Sequence, residues 1–325
     1  MGRVRVVLAL VVALAACATT QRSAGGPWQA ALGRDHPLTG RIWDVGAKQF
    51  LEEPVFISRL VAARFVLLGE KHDHPDHHRL QARLLRALVD AGRRPAVAFE
   101  MFTPDQAPAI ARHLAASPRD AAGLGDTVGW KDSGWPAWSM YQPIVQVALD
   151  AGLPIVAANI STATARALMT GAEAPPALAT RFGLDRALAT EVQAAMAAEM
   201  RYAHCGHADS QTVASMITVQ RVRDAAMAAA LMDAGADGAV LIAGSGHVRI
   251  DHGVPAYLGA ASPASTTASV GFIEVQPDTT SPGDYAERFG AARLPFDYVW
   301  LTPRLDDIDP CETFRRGLER LRDGR

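Results

Sequence analysis

Lysine is nearly missing: Lys48, Lys71 and Lys131 are the only three in a chain of 325 residues. With a formal charge of −2 and no basic run, the chain lacks the electrostatic footprint of a nucleic-acid binder. Cysteine is as scarce, at three residues (Cys17, Cys205, Cys311), so sulfur chemistry is confined to a few positions. A membrane-spanning stretch is absent as well. The apolar segment Val6–Ala15 is far short of the roughly 20 residues that cross a bilayer. Neither H-E-x-x-H nor G-x-S-x-G occurs, and Gly244-Ser245-Gly246 has the wrong spacing for a nucleophile elbow. No repeat of solenoid length is present.

What is there is an apolar content of 49%, enough for a sizeable core in one large domain or two small ones. Arg3 and Arg5 precede the apolar segment, which then closes on Leu14-Ala15-Ala16-Cys17. The first 16 residues read as a signal peptide. The closing tetrapeptide resembles a bacterial lipobox, which implies lipidation of Cys17 and membrane attachment through that anchor alone. Residues 17–37, rich in Gly, Ser, Thr and Ala, read as a flexible tether. In an oxidising exported compartment, Cys205 and Cys311 are expected to form a disulfide; His204-Cys205-Gly206-His207 as a metal site competes with it, although that spacing is tighter than zinc ligands usually show.

The body alternates strands and helices. Short apolar runs at Arg64–Leu68, Ala96–Phe99, Ile155–Ala158, Gly238–Ala243, Ser269–Val275 and Tyr298–Thr302 are apolar on both faces. Helical patterns lie at Pro75–Asp90, Pro104–Ala116, Trp138–Ala151, Leu184–Met200 and Ser210–Asp233. Strands buried on both faces and separated by helices imply a three-layer, doubly wound α/β domain with a mostly parallel sheet. It is expected over 38–310, with a helical insertion at about 160–235 and a C-terminal helix over 311–325.

One short pattern occurs twice. Gly69-Glu70-Lys71-His72 follows the first of these strands and Gly244-Ser245-Gly246-His247 the fourth. Ligands of open α/β sheets bind at the carboxyl ends of the strands, so Glu70, His72, Glu100, Asn159 and His247 are expected in one crevice. His74 and His78 are spaced to chelate but read more simply as solvated first-turn residues, and His77 as a surface residue. Arg249 and Asp251 are expected to pair. Alanine at His72 or His247 should impair the site and move the melting temperature by only a few degrees.

The stretches "LLGEKHDHPDHHRLQ", "GWPAWSMYQPIVQVAL", "GLPIVAANI", "HCGH" and "LIAGSGHVRIDHGVP" resemble, in this order, the ChaN family of haem-binding, iron-regulated lipoproteins, within a superfamily that also holds Tiki and erythromycin-esterase-type proteins. The resemblance covers about 41–311. It implies a haem-uptake lipoprotein at the outer membrane, facing the periplasm, in which two subunits enclose ferric haem and an outer-membrane receptor is a possible partner. A tyrosine would ligate the iron: Tyr141 first, from the tryptophan-rich block Trp130–Trp138–Tyr141, with Tyr202 and Tyr257 behind it. His72, His247 and Lys71 would contact the haem or its propionates. Porphyrin burial supplies about 10 kcal/mol, similar to the cost of association, so ligation and propionate contacts must tip the balance. The superfamily also implies an alternative, a hydrolase in which Glu70, His72, Glu100 and His247 hold a divalent metal or act directly on water.

Overall fold

The computed structural model describes residues 27–322. The signal peptide and Cys17 lie outside the described residues. Among these residues the chain forms strands β1 (Ile42–Asp44), β2 (Gln49–Leu51), β3 (Phe65–Glu70), β4 (Ala96–Phe99), β5 (Ile155–Ala157), β6 (Ala239–Gly244), β7 (Thr267–Glu274) and β8 (Tyr298–Thr302). They build one sheet in the order β2-β1-β8-β7-β3-β6-β4-β5. From β8 to β5 every pairing is parallel; β1 alone is reversed, pairing antiparallel with both β8 and β2.

The helices are α1 (Glu53–Ala62), α2 (Pro75–Asp90), α3 (Ala107–Ala116), α4 (Ala121–Thr127), α5 (Trp138–Asp150), α6 (Thr162–Met169), α7 (Pro176–Phe182), α8 (Thr190–Ala203), α9 (Ser210–Asp233), α10 (Val254–Ala261) and α11 (Pro310–Arg322). Alternation along the strands divides the core in two. Val66, Leu68, Val97, Phe99, Val240 and Ile242 pack toward α1, α2 and α5. Phe65, Leu67, Ala96, Ala98, Ala239 and Leu241 pack toward α9 and α10. Both faces are therefore covered, which is why the strand sequences carry no polar alternation.

Helix α2 follows its sequence signals closely. Pro75 occupies the first turn, His74 caps it by accepting from the Asp76 N–H, and Gly92 follows the helix at φ 88°. The insertion is helical, but its first part differs from expectation: Gly183 ends α7 in the left-handed region, and α8 starts only at Thr190. Residues 27–37 are not a tether. The N–H groups of Gln29 and Ala30 donate to the buried Asp76 carboxylate, Ala30 is itself buried, and Leu32 bridges Arg304. Composition hid this, because the anchor is a single carboxylate in α2. Cys205 and Cys311 are joined, with Cα atoms 5.4 Å apart, tying α11 to the end of α8. No helix among the described residues is long and apolar enough to cross a membrane.

Candidate ligand-binding site

The two G-x-x-H loops lie side by side because β3 and β6 are neighbours with Glu70 opposite Gly244. The Ser245 N–H donates to the Glu70 carbonyl at 2.8 Å, closing one loop on the other. Gly69 permits this approach: a Cβ there would stand 2.2 Å from Val248 Cγ2 and 3.0 Å from the Ser245 Cα. Gly244 makes room for the site itself, since its Cβ would meet the His72 ring at 2.9 Å. His72 therefore reaches across β6 toward Glu100.

Two carboxylate–imidazole groups face this point. In the first, Glu70 is fully enclosed, with Oε1 3.0 Å from His72 Nδ1 and Oε2 3.1 Å from His78 Nδ1, and accepts from the Tyr141 hydroxyl at 2.8 Å. Burial works to raise the Glu70 pKa, but the two imidazoles outweigh it and hold the carboxyl below its ordinary value. His72 and His78 are raised in turn, Glu70 overcoming their burial. In the second group, His247 Nε2 lies 3.2 Å from Glu100 and Nδ1 2.6 Å from Asp224. Burial favours neutral imidazole, yet the two carboxylates push the His247 pKa up to about 10. Glu100 also accepts from the Gly244 N–H; despite burial, it is held well below the carboxylate range by His247. Asp224 is raised by burial to about 6.

His74 and His77, just before and within the first turn of α2, are structural, and the expectation of solvent exposure is corrected for them and for His78, all three being buried. His74 and His77 stack at 3.9 Å and are both fully buried. His77 accepts from the Lys71 N–H and its other nitrogen meets the Thr302 hydroxyl, while His74 Nε2 meets the Pro303 carbonyl. Burial lowers the pKa of each, leaving neutral rings with both nitrogens employed. Thr302 and Pro303, at the end of β8, supply the distant partners, and nothing in the local sequence announces them. Arg249 pairs with Asp251 at 2.7 Å.

A family described as haem-binding uptake, Tiki superfamily, ChaN, matches residues 56–258, a span that contains both G-x-x-H loops, Glu100 and Asp224. The chain belongs to this family. A ChaN protein of Campylobacter jejuni, described as binding haem cofacially, shares the fold with a TM-score of 0.64 and 20% identity, over 80% of this chain and 95% of its own. The type III effector HopBA1 is 14% identical over 76% of this chain and 93% of its own, at a TM-score of 0.43 too low to argue from. No curated protein matches the chain.

Within this ChaN-family fold the three tyrosines offered as iron ligands have different surroundings. Tyr141 is fully enclosed against His78 and Trp130 and donates to Glu70. Burial and then Glu70 drive its pKa far above the phenol range, and in this arrangement its hydroxyl is closed off from any ligand. Trp130 and Trp138 contact each other at 4.7 Å as part of the core rather than as pocket walls. Tyr257 is half-buried, its pKa pushed up to about 12 by burial. Tyr202, 79% exposed, is the open phenol of the three. It stands one turn beyond Glu199, whose carboxylate meets Arg249 and His252 and comes within 3.2 Å of a Cβ built on Gly246. Lys71 is engaged with Glu274 at 3.3 Å and Asp73 at 3.7 Å.

Sequence reasoning missed Asp224 and Glu199. Asp224 had a usable signal: it falls on the apolar face of α9 with Ile217, Ala228 and Leu231, where a carboxylate needs a partner. Among the described residues, no three His, Cys, Asp or Glu side chains are disposed to hold a metal ion. The acidic groups of the crevice are committed to imidazoles instead.

Proposed function

We propose that the protein captures ferric haem at the rim of this crevice as an exported, Cys17-lipidated protein of haem uptake at the outer membrane. The observation that carries this reading is the family match, which spans the whole crevice. Tyr202 takes the iron, because its phenol is open and a phenolate suits a hard ferric centre. His72, with 37% of its side chain exposed and edge-on to Trp135 at 4.9 Å, offers a flat apolar contact beside an imidazole. An exposed ligand leaves one haem face uncovered, and a second copy of the chain is the natural cover; the cofacial haem of the Campylobacter jejuni protein supports that arrangement. An outer-membrane receptor is then the recipient.

The test is a hemin titration of the mature protein followed by absorption spectroscopy. Wild type should show ferric phenolate bands that disappear in Tyr202→Phe and persist in Tyr141→Phe and Tyr257→Phe. No spectral change at micromolar hemin overturns the haem reading, and loss in Tyr141→Phe alone overturns the choice of ligand.

One observation favours a second reading, hydrolysis without metal. Glu70 holds His72 by Nδ1, leaving Nε2 aimed over Gly244 toward Glu100, the geometry of a general base. Hydrolysis of an ester panel by the metal-free protein, abolished in His72→Gln, would support it.

A further inference from the structure

A cavity of about 500 Å³ lies outside the crevice, between α7, the loop from Gly183 to Ala189, and α10. That volume is in the range of small-molecule sites. One side is apolar, formed by Phe182, Leu188 and Val192, and the other carries Arg186, Arg221 and Tyr257.

The charges on this second side are not spent. Arg181, at the margin, is neutralised by a bidentate pair with Asp233 at 2.9 and 3.0 Å. Asp251 is bound by Arg249 through both oxygens. Arg186 and Arg221, by contrast, make no ion pair among the described residues. Arg221 donates from one terminal nitrogen to the Arg186 carbonyl and meets the Tyr257 phenol, while its Nε is buried without a partner. A buried guanidinium N–H left unmade is costly. Gly183, at φ 63°, lets the Arg186 guanidinium fold back so closely that a Cβ would stand 3.2 Å from its Nε. Two guanidinium groups and a phenol thus line a half-apolar space whose one carboxylate, Asp251, is already held by Arg249.

We infer that this cavity is a second binding site, for an organic anion with an unbranched apolar tail, its carboxylate or phosphate held between Arg186 and Arg221 and its tail along Phe182, Leu188 and Val192. Guanidinium forks match both head groups.

Calorimetry on the full mature chain with dodecanoate, dodecyl phosphate and dodecyltrimethylammonium tests this. The two anions should bind at a single site and the cation should not; whichever anion binds tighter names the head group. Arg186→Ala should weaken binding on the order of tenfold, the worth of a charge-assisted bond, and Arg186→Glu should abolish it. Arg186 is exposed, so neither change threatens the fold. Hemin titration of Arg186→Glu should match wild type. Absence of anion binding up to about millimolar, equal binding of the cation, or undiminished binding by Arg186→Glu overturns the inference. Loss of hemin and dodecanoate binding together overturns it as a separate site, because the cavity would then belong to the haem seat.

Discussion

Replacing His247 by alanine removes the imidazolium that lies between two buried carboxylates, Glu100 at 3.2 Å and Asp224 at 2.6 Å. Both acids are fully enclosed or nearly so. Removing one partner of a buried ion pair costs about 3–5 kcal/mol. At about 2–4 °C per kcal/mol for a domain of moderate size, the melting temperature should fall by roughly 6–20 °C, far more than the few degrees that the sequence suggests. The pH dependence has a definite sign. The His247 pKa is raised from 6.5 to about 10, so its stabilisation is complete below about 6.5 and fades as pH climbs toward 10. In the variant, Asp224, already raised to about 6 by burial, loses the imidazolium that restrained it. Because the His247 contribution exists only in wild type and is lost as pH climbs toward 10, the gap between wild type and variant should narrow from pH 7.5 to pH 9.5. Thermal unfolding followed by circular dichroism at these two pH values measures both effects. Adding Asp224→Asn to His247→Ala should recover part of the loss at pH 7.5. A drop under about 2 °C at pH 7.5, or a gap that widens at pH 9.5, would refute the assignment of a buried triad.

Reduction of Cys205–Cys311, which closes a separation of 106 residues, should destabilise the protein by up to about 4.7 kcal/mol in the chain-entropy model. Melts with and without reductant check this, and alkylation giving the same mass before and after reduction would refute the bridge. Tyr141→Phe strips the hydroxyl that donates to Glu70 at 2.8 Å. The expected cost is about 1–3 kcal/mol in urea denaturation, with the hemin spectrum unchanged. Gly69→Ala must displace the fully buried Val248 side chain, whose Cγ2 would stand 2.2 Å from the new Cβ, and crowds the Ser245 Cα at 3.0 Å, so it should destabilise the fold severely; Gly244→Ala crowds the His72 ring and should fold normally while losing whatever function His72 serves. If Gly69→Ala gives wild-type expression and melting, the close approach of the two loops is wrong.

How far the sequence could be read depended on whether the partner of each residue was also local. Strands β4 and β8 match their apolar runs residue for residue, and α2 is bounded by Pro75 and Gly92, because burial on both faces and end signals are written in consecutive positions. Strands β1 and β2, at three residues each, are too short to show a period. The convergence of Glu70, His72, Glu100 and His247 followed from strand-end position alone, since parallel strands deliver their carboxyl ends to one edge. The state of each histidine did not. Within the stretch His72–His78 that leads into the first turn of α2, His74 and His77 are pushed toward the neutral form by burial while they meet a carbonyl, a hydroxyl and backbone N–H groups, whereas the pKa values of His72 and His78 are raised because they meet Glu70. Four like residues thus divide by partners, from β8 and within α2's own approach, that no spacing rule contains. The same division explains Tyr141: a phenol beside flat tryptophans suggests a haem wall in sequence, but next to a buried carboxylate it must keep its proton to donate. Tyr202 on α8, 79% exposed, is free of that enclosure, which is why the iron ligand is proposed there.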